Sequence, residues 1–345
     1  MERNLEKVRK EIDRCDRELV RLLEKRLLMA EEVARIKETQ SNVSLTDPKR
    51  ESDMMQRLIA STNHQVLQSE IPRIFSICMD MSKRVRVIKH QREKNRYLPS
   101  LEIGIIGLGN FGEMLAETFR LHWSQSRLYL YDPIKESSHT LEETCKTDLL
   151  FCCVPISAFE SCLQQVAPHL EDRTTVIDVC TVKVYAVQTM ERVLKGRRMI
   201  ASHPMFGPQS TKMGTDFFGL NLVAHNLSAP AFIYDVFLQL WNNLGVQIIE
   251  LSPEEHDTFA AYSINYNHFV GRIGECIGLQ TTPIDTRGFK VIYDAMHYVT
   301  NDTWQLFRDM QTYNPFAREM REKVRSAIAS IEKKLGEGPS PTCIQ

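Results

Sequence analysis

The chain has 345 residues, more than one typical domain holds, so two or three domains are expected. Its 43% hydrophobic and 25% charged content is ordinary for a globular protein, and a net charge of −1 provides no global field for nucleic acid or an anionic membrane. The 9 cysteines show no CxxC spacing, so no metal is expected, and Cys152-Cys153 lie in an apolar run as buried thiols would. No signal-peptide pattern precedes the first helix, no apolar run is long enough for a bilayer, and the terminal Thr342-Cys343-Ile344-Gln345 is not a prenylation box. These features set the expectation of a cytoplasmic, reduced protein with no membrane or nucleic-acid partner.

From Leu5 to Ile36 apolar residues recur at steps of three and four: Leu5, Val8, Ile12, Cys15, Leu19, Leu22, Met29, Val33 and Ile36. Arg26 interrupts this stripe. The spacing predicts one helix roughly 50 Å long. A second stripe runs Ile71, Ile74, Cys78, Met81, Val85, Ile88, and between them Thr46-Asp47-Pro48 with Glu51 reads as a helix start. Residues 1–92 are therefore expected to form an all-helical domain. Arg26 stands where an apolar residue belongs, and a guanidinium withdrawn from water needs an anion or a route back to solvent. Lys37 lies on nearly the same face. Arg9 lies roughly 25 Å along the axis, too far to grip the same small ligand in one subunit. If Arg9 belongs to that site, a partner chain supplies it, which predicts a homodimer. The basic run from Lys83 to Arg96 lacks interleaved aromatics and reads as a solvated helix end.

The segments "LEKVRKEIDRCDRELVRLLEKRLLMAEEVARIK" and "DPKRESDMMQRL" resemble the all-helical chorismate mutases. The resemblance implies that Arg9, Arg26, Lys37 and Arg50 clamp the two carboxylates and ether oxygen of chorismate. Asp47 and Glu51 would contact its hydroxyl side, and Ser82 would contribute from the last helix. Relatives place glutamine or another group four residues past that serine, where this chain has Arg86. A Claisen rearrangement needs no nucleophile, only a compressed dianion and charge stabilised on the ether oxygen.

After the charged segment 93–100, read as a linker, the apolar run "LEIGIIG" leads into Gly107-x-Gly109-x-x-Gly112 and the amphipathic "EMLAETFRL". Strand, glycine turn and helix are the context in which Gly107, Gly109, Asn110, Phe111 and Gly112 wrap a dinucleotide pyrophosphate. The next strand ends at Asp132, placed for the ribose hydroxyls, and its carboxylate favours NAD over NADP. Further strands "DLLFCCV", "TTVIDVC", "RMIAS", "LNLVAH" and "VQIIEL" follow. An α/β Rossmann domain with a parallel sheet is expected over 101–251, an all-α substrate and dimerisation domain over 252–336, and a disordered tail over 337–345.

His203 opens "HPMFGPQS" at the carboxyl end of "RRMIAS", where α/β folds bind ligands. The string resembles the prephenate and arogenate dehydrogenase family, as do "DVCTVK", "PEEHD" and His268. The resemblance makes His203 the base that takes the substrate hydroxyl proton, with Lys183 and His268 holding substrate carboxylates and Val154 at the cofactor loop. Relatives carry Ser or Thr at the position of Val154, so Thr181 or Ser202 is left to orient His203, or nothing does. Asn265, His268 and Arg272 share one helix face, with Arg272 equally readable as an internal salt bridge. His256-Asp257 near that helix start reads as capping and dipole chemistry. The arginine that prephenate-specific relatives carry falls here on His297, with Arg287 nearby as a substitute.

Joined, the two halves resemble a chorismate mutase–prephenate dehydrogenase fusion of tyrosine biosynthesis. Arogenate as the second substrate, or a helical domain that serves only dimerisation or regulation, are the alternatives.

Overall fold

The computed structural model describes residues 5–38, 48–94, 97–211 and 216–336. Asp47, the side chains of Lys37 and Arg86, and the tail expected to be disordered lie outside the described residues. The chain divides into two compact units, Met1–Tyr97 and Leu98–Gln345.

The first unit holds α1 (Leu5–Glu38), α2 (Pro48–Ala60) and α3 (Gln65–Lys94). Pro48 opens α2, where its fixed φ suits the first turn and its missing N–H costs nothing. Both α1 and α2 pack on α3. The apolar stripe of α1 forms as the spacing predicts, yet Leu5, Ile12, Leu19, Leu22, Met29 and Ile36 are each at least 53% exposed. Ala30, Ile71 and Cys78 are the buried apolar side chains among its described residues.

The second unit is built on β1 (Glu102–Ile106), β2 (Arg127–Tyr131), β3 (Leu149–Cys152), β4 (Thr175–Asp178), β5 (Arg198–Pro204), β6 (Asn221–Asn226) and β7 (Gln247–Glu250). All seven correspond to the apolar runs read from the sequence. They form one sheet in the order β2-β1-β3-β4-β5-β6-β7. The sheet is parallel from β2 to β5, whereas β6 is antiparallel to β5, with His203 opposite Val223, and β7 follows β6 in parallel. The expected parallel sheet thus holds for five strands. The described part of the β5–β6 connection contains turns rather than a crossover helix, and only an antiparallel neighbour can be reached that way.

Helices α4 (Asn110–His122), α5 (Leu141–Cys145), α6 (Ile156–Val166), α7 (Val184–Val193) and α8 (Ala231–Asn243) cover both faces. Alternation along β3 sends Leu149 and Phe151 into one core with Phe119, Phe237 and Trp241, and Leu150 and Cys152 into another with Phe159 and Met190.

Past β7 the chain is helical: α9 (Pro253–Ala260), a π turn (Ala261–Asn265), α10 (Tyr266–Cys276), α11 (Arg287–Thr300), α12 (Trp304–Tyr313) and α13 (Ala317–Gly336). A capping box fixes the start of α9: Ser252 Oγ accepts from Glu255 N, and Glu255 Oε2 accepts from Ser252 N. Gly271 and Gly274 let α10 lie close against α11, since a Cβ on Gly274 would sit 2.4 Å from Met296 Sδ. Among the described residues no helix is long and apolar enough to cross a membrane.

Candidate active sites

The glycine loop joins β1 to α4. Gly107 has φ +93, and a Cβ there would sit 2.3 Å from the Cys153 carbonyl oxygen, so only glycine is tolerated. A Cβ on Gly112 would sit 1.9 Å from the Gly107 carbonyl oxygen, which lets α4 start hard against the loop. A Cβ on Gly109 would meet nothing within 4 Å. That open space lies over the start of α4, whose first residue is Asn110 and which has no side-chain cap. Phe111 packs against the core beneath, and Val154 lies behind Gly107, its Cγ1 3.3 Å from where a Cβ would stand.

Asp132 follows β2 directly. Its Oδ2 accepts from Leu108 N at 2.6 Å, and its Oδ1 accepts from Ile134 N and Lys135 N, both at 2.9 Å. Partial burial pushes the carboxyl up, but the N–H bonds from Lys135, Leu108 and Ile134 outweigh it and hold the group below its ordinary value. Lys135 Nζ donates to Glu113 Oε1 at 2.6 Å and to the Leu108 carbonyl. An uncapped helix start, an open space over Gly109 and an acid at the end of β2 fit a dinucleotide.

His203 sits near the carboxyl end of β5 and is only 3% exposed. Its Nδ1 lies 2.8 Å from His256 Nε2, and His256 Nδ1 lies 2.8 Å from Asp257 Oδ1. Asp257 also accepts from Lys183 N on Oδ1 at 2.8 Å and from Val184 N on Oδ2 at 2.9 Å, at the start of α7. Both hydroxyls considered for orienting His203 are engaged otherwise or unpartnered. Ser202 Oγ donates to the Asp178 carbonyl at 2.6 Å, and the buried Thr181 Oγ1 has no hydrogen-bond partner. His256 takes that place, a pairing across 53 positions that the capping reading of "EEHD" had missed. Burial holds His203 well below its ordinary pKa, and the nearby His256 ring and Lys183 ammonium act in the same direction.

Lys183 is buried, and its ammonium donates to Asp178 Oδ1 and to the Ser202 carbonyl. Two of its three protons are therefore bound inside the protein, which departs from the substrate-carboxylate role the resemblance implies. Asp178 in turn accepts from Cys180 N and Ser202 N, tying β4 to β5 beside His203.

Asn265, His268 and Arg272 share the buried face predicted for them. Each keeps one polar atom without a partner: Asn265 Oδ1, His268 Nδ1 and Arg272 Nε. His268 Nε2 stands 3.6 Å from Asp302 Oδ2. Burial lowers the His268 pKa, Asp302 opposes the shift and Arg272 adds to it. For Arg272 the internal reading holds: it donates to Glu275 Oε2 at 2.8 Å and to the Asp302 carbonyl, and lies 4.7 Å from the Trp304 ring centre. His297 and Arg287 are both exposed on α11, and His297 stacks on Tyr293.

In the first unit Arg26 donates to the Cys78 carbonyl and to the buried Ser82 Oγ on α3, so two residues expected at one site do meet. Arg9 and Arg50 are exposed and Glu51 is half-buried.

The sheet and its glycine loop define the second unit as an α/β dinucleotide-binding domain, preceded by an all-α unit. Residues 8–87 match the family model of chorismate mutase type II, and residues 124–218 that of the prephenate dehydrogenase nucleotide-binding domain. Residues 273–342 match the TYRAAT1-like C-terminal domain. The chain joins a chorismate mutase type II domain to a prephenate dehydrogenase nucleotide-binding domain.

Arogenate dehydrogenase 2, chloroplastic, of Arabidopsis thaliana is 27% identical over 71% of this chain and 72% of its own length. Arogenate dehydrogenase 1, chloroplastic, of the same plant is 29% identical over 69% of this chain but only 40% of its own length. The T-protein of Enterobacter agglomerans is 25% identical over 76% of this chain and 67% of its own length. The second unit shares its fold with prephenate dehydrogenase of A. aeolicus in complex with hydroxyphenyl propionate and NAD+ (TM-score 0.52, 20% identity, 70% of this chain and 90% of that one). It also shares it with Synechocystis arogenate dehydrogenase (TM-score 0.50, 22% identity, 68% and 93%).

Proposed function

We propose that the first unit rearranges chorismate to prephenate and that the second oxidises and decarboxylates prephenate to 4-hydroxyphenylpyruvate with NAD. The observation that carries the second step is His203 near the end of β5, buried, neutral at physiological pH, with Nδ1 engaged and Nε2 left for substrate. Gly107, Gly109, Asn110, Phe111 and Gly112, with Val154 behind Gly107 and Asp132 for the ribose hydroxyls, would hold NAD, which when bound would supply the hydride acceptor. His203 Nε2 takes the proton of the ring hydroxyl. We assign His268 and the third proton of Lys183 to the substrate carboxylates on this side of the site. Carbon dioxide departs as the ring becomes aromatic. Asp132 supports NAD over NADP because its carboxylate repels a 2′-phosphate, and Lys135, the nearest cation, is already bound to Glu113.

For the mutase step, Arg26, Arg9, Lys37 and Arg50 clamp the two carboxylates and ether oxygen, Asp47 and Glu51 contact the hydroxyl side, and Ser82 and Arg86 contribute from α3. The exposed stripe of α1 supports a homodimer in which Arg9 comes from the partner. Eight cysteines among the described residues are free thiols, which supports the cytoplasm as its compartment.

A second reading replaces prephenate by arogenate. It is favoured by the two Arabidopsis relatives and by His297, exposed at the position where a prephenate-binding arginine was expected. The test supplies purified protein with chorismate, prephenate or arogenate, each with NAD or NADP, and follows nicotinamide reduction. NAD reduction from both chorismate and prephenate is expected. Reduction from prephenate but not from chorismate would sink the mutase assignment, and reduction from arogenate alone would establish the second reading.

A further inference from the structure

We infer that His256 and Asp257 are positioning residues that fix the tautomer of His203, so that its base is Nε2. The inference rests on the reading of His203 as the dehydrogenase base and extends it to two buried residues hydrogen-bonded in series behind its Nδ1.

The direction of the hydrogen-bond chain follows from its far end. Both oxygens of Asp257 face backbone N–H groups, Lys183 N at Oδ1 and Val184 N at Oδ2. The carboxylate therefore accepts, and His256 donates to it from Nδ1. A neutral His256 then presents a bare Nε2, which accepts the Nδ1 proton of His203 at 2.8 Å. The lone pair of His203 is thereby left on Nε2. Free imidazole side chains prefer the opposite tautomer, with the proton on Nε2, so without the chain the base would be blocked by its own proton. A carboxylate holding a catalytic imidazole through its Nδ1 proton is a recurring solution on unrelated folds. Here a second imidazole is inserted between the two.

The insertion is needed because, among the described residues, no hydroxyl bonds to His203. Position 154 is valine, Ser202 Oγ is turned to the Asp178 carbonyl, and Thr181 Oγ1 is unpartnered. The chain is also anchored independently of substrate. Asp257 caps the start of α7, its carbonyl accepts from Asn314 Nδ2 at 2.9 Å, and the capping box of Ser252 and Glu255 fixes the first turn of α9. The charged and titratable groups facing His203 are His256 and Asp257 from α9, and Lys183 with its partner Asp178 from the β4–α7 segment.

The experiment compares His256→Gln with His256→Asn in the full-length protein. Gln places a carbonyl oxygen near the position of Nε2 and can still accept from His203 Nδ1, whereas Asn is too short. With histidine nitrogens labelled, NMR of the wild type is expected to show His203 protonated on Nδ1 and bare on Nε2. His256→Gln retains that pattern and His256→Asn reverses it. In steady state, His256→Asn is expected to lose about tenfold or more in dehydrogenase kcat, with its pH profile displaced and KM for NAD held. His256→Gln recovers most of the loss. Chorismate rearrangement, carried by the other unit, serves as the control for folding.

A wild-type His203 protonated on Nε2, or equal kcat for the two variants, overturns the inference. Failure of the underlying reading looks different: His203→Asn would retain dehydrogenation, while the NMR pattern of the wild type still decided the tautomer.

Discussion

A buried histidine can serve as a base only while it stays neutral, and burial is what keeps His203 neutral. The same burial makes it a determinant of acid stability. His203 and His268 both titrate below the ordinary value of 6.5 in the folded protein, His203 far below. Below that value the unfolded chain binds protons that the folded chain refuses, so stability is present at neutral pH and declines as pH falls. For His203 the slope approaches about 1.4 kcal/mol per pH unit, and His268 adds in the same direction. Denaturant midpoints between about pH 7.5 and about pH 5 should fall more steeply in the wild type than in His203→Gln; equal slopes would contradict the burial argument. At the cofactor end, Asp132→Asn removes the carboxylate that excludes a 2′-phosphate. The ratio of kcat/KM for NADP over NAD should rise about tenfold, equivalent to about 1.4 kcal/mol, and an unchanged ratio would place the ribose elsewhere. Residues whose chemistry shows in a local string were legible beforehand: His203 in "HPMFGP", Asp132 at a strand end, Arg26 in an apolar stripe. His256 was not, because its partner is 53 positions away and its own neighbours supply a sufficient capping explanation. Arg272 was legible only as a choice, which the Trp304 ring and Glu275 settled.

At the scale of elements, the glycine loop separates two uses of the same residue type. Gly112 is required by the protein itself, since its Cβ would stand 1.9 Å from the Gly107 carbonyl oxygen. Gly109 is required by nothing among the described residues, since its Cβ would meet open space. Gly112→Ala is therefore expected to cost stability by roughly 1–3 kcal/mol through overpacking, read as a lowered Tm. Gly109→Ala should keep its Tm and raise the KM for NAD, and a lowered Tm with unchanged KM would reverse the assignment. The seven strands were legible because each is a short apolar run bounded by turn residues; burial on both faces imposes that composition on β1, β3, β4 and β5, while the edge strands β2 and β7 are only half-buried. Strand direction was not. Nothing in "LNLVAH" distinguishes an antiparallel β6 from a parallel one, because direction is set by whether the preceding connection can cross over. The π turn between α9 and α10 is equally silent in the sequence, where the apolar pattern runs on without interruption.

At the scale of the whole molecule, the long helix α1 carries more apolar surface than its own unit covers. Leu5, Ile12, Leu19, Leu22, Met29 and Ile36 remain exposed, and monomeric proteins rarely leave a contiguous apolar stripe of that length in water. Arg9 and Arg26 lie on this one helix roughly 25 Å apart, so the two cannot hold one dianion of chorismate's size unless Arg9 reaches across from a second chain. The prediction is complementation between inactive subunits. Arg9→Ala and Arg26→Ala should each abolish chorismate rearrangement as pure proteins. Unfolded together and refolded as a mixture, about half the dimers would be mixed, each with one site that has lost both arginines and one site intact. Mutase activity should then return to about a quarter of the wild-type value. The dehydrogenase activity of the same samples, measured with prephenate, reports how much protein refolded and normalises the result. Silence in the mixture, with dehydrogenase activity restored, would mean that both arginines act within one chain or that Arg9 lies outside the site.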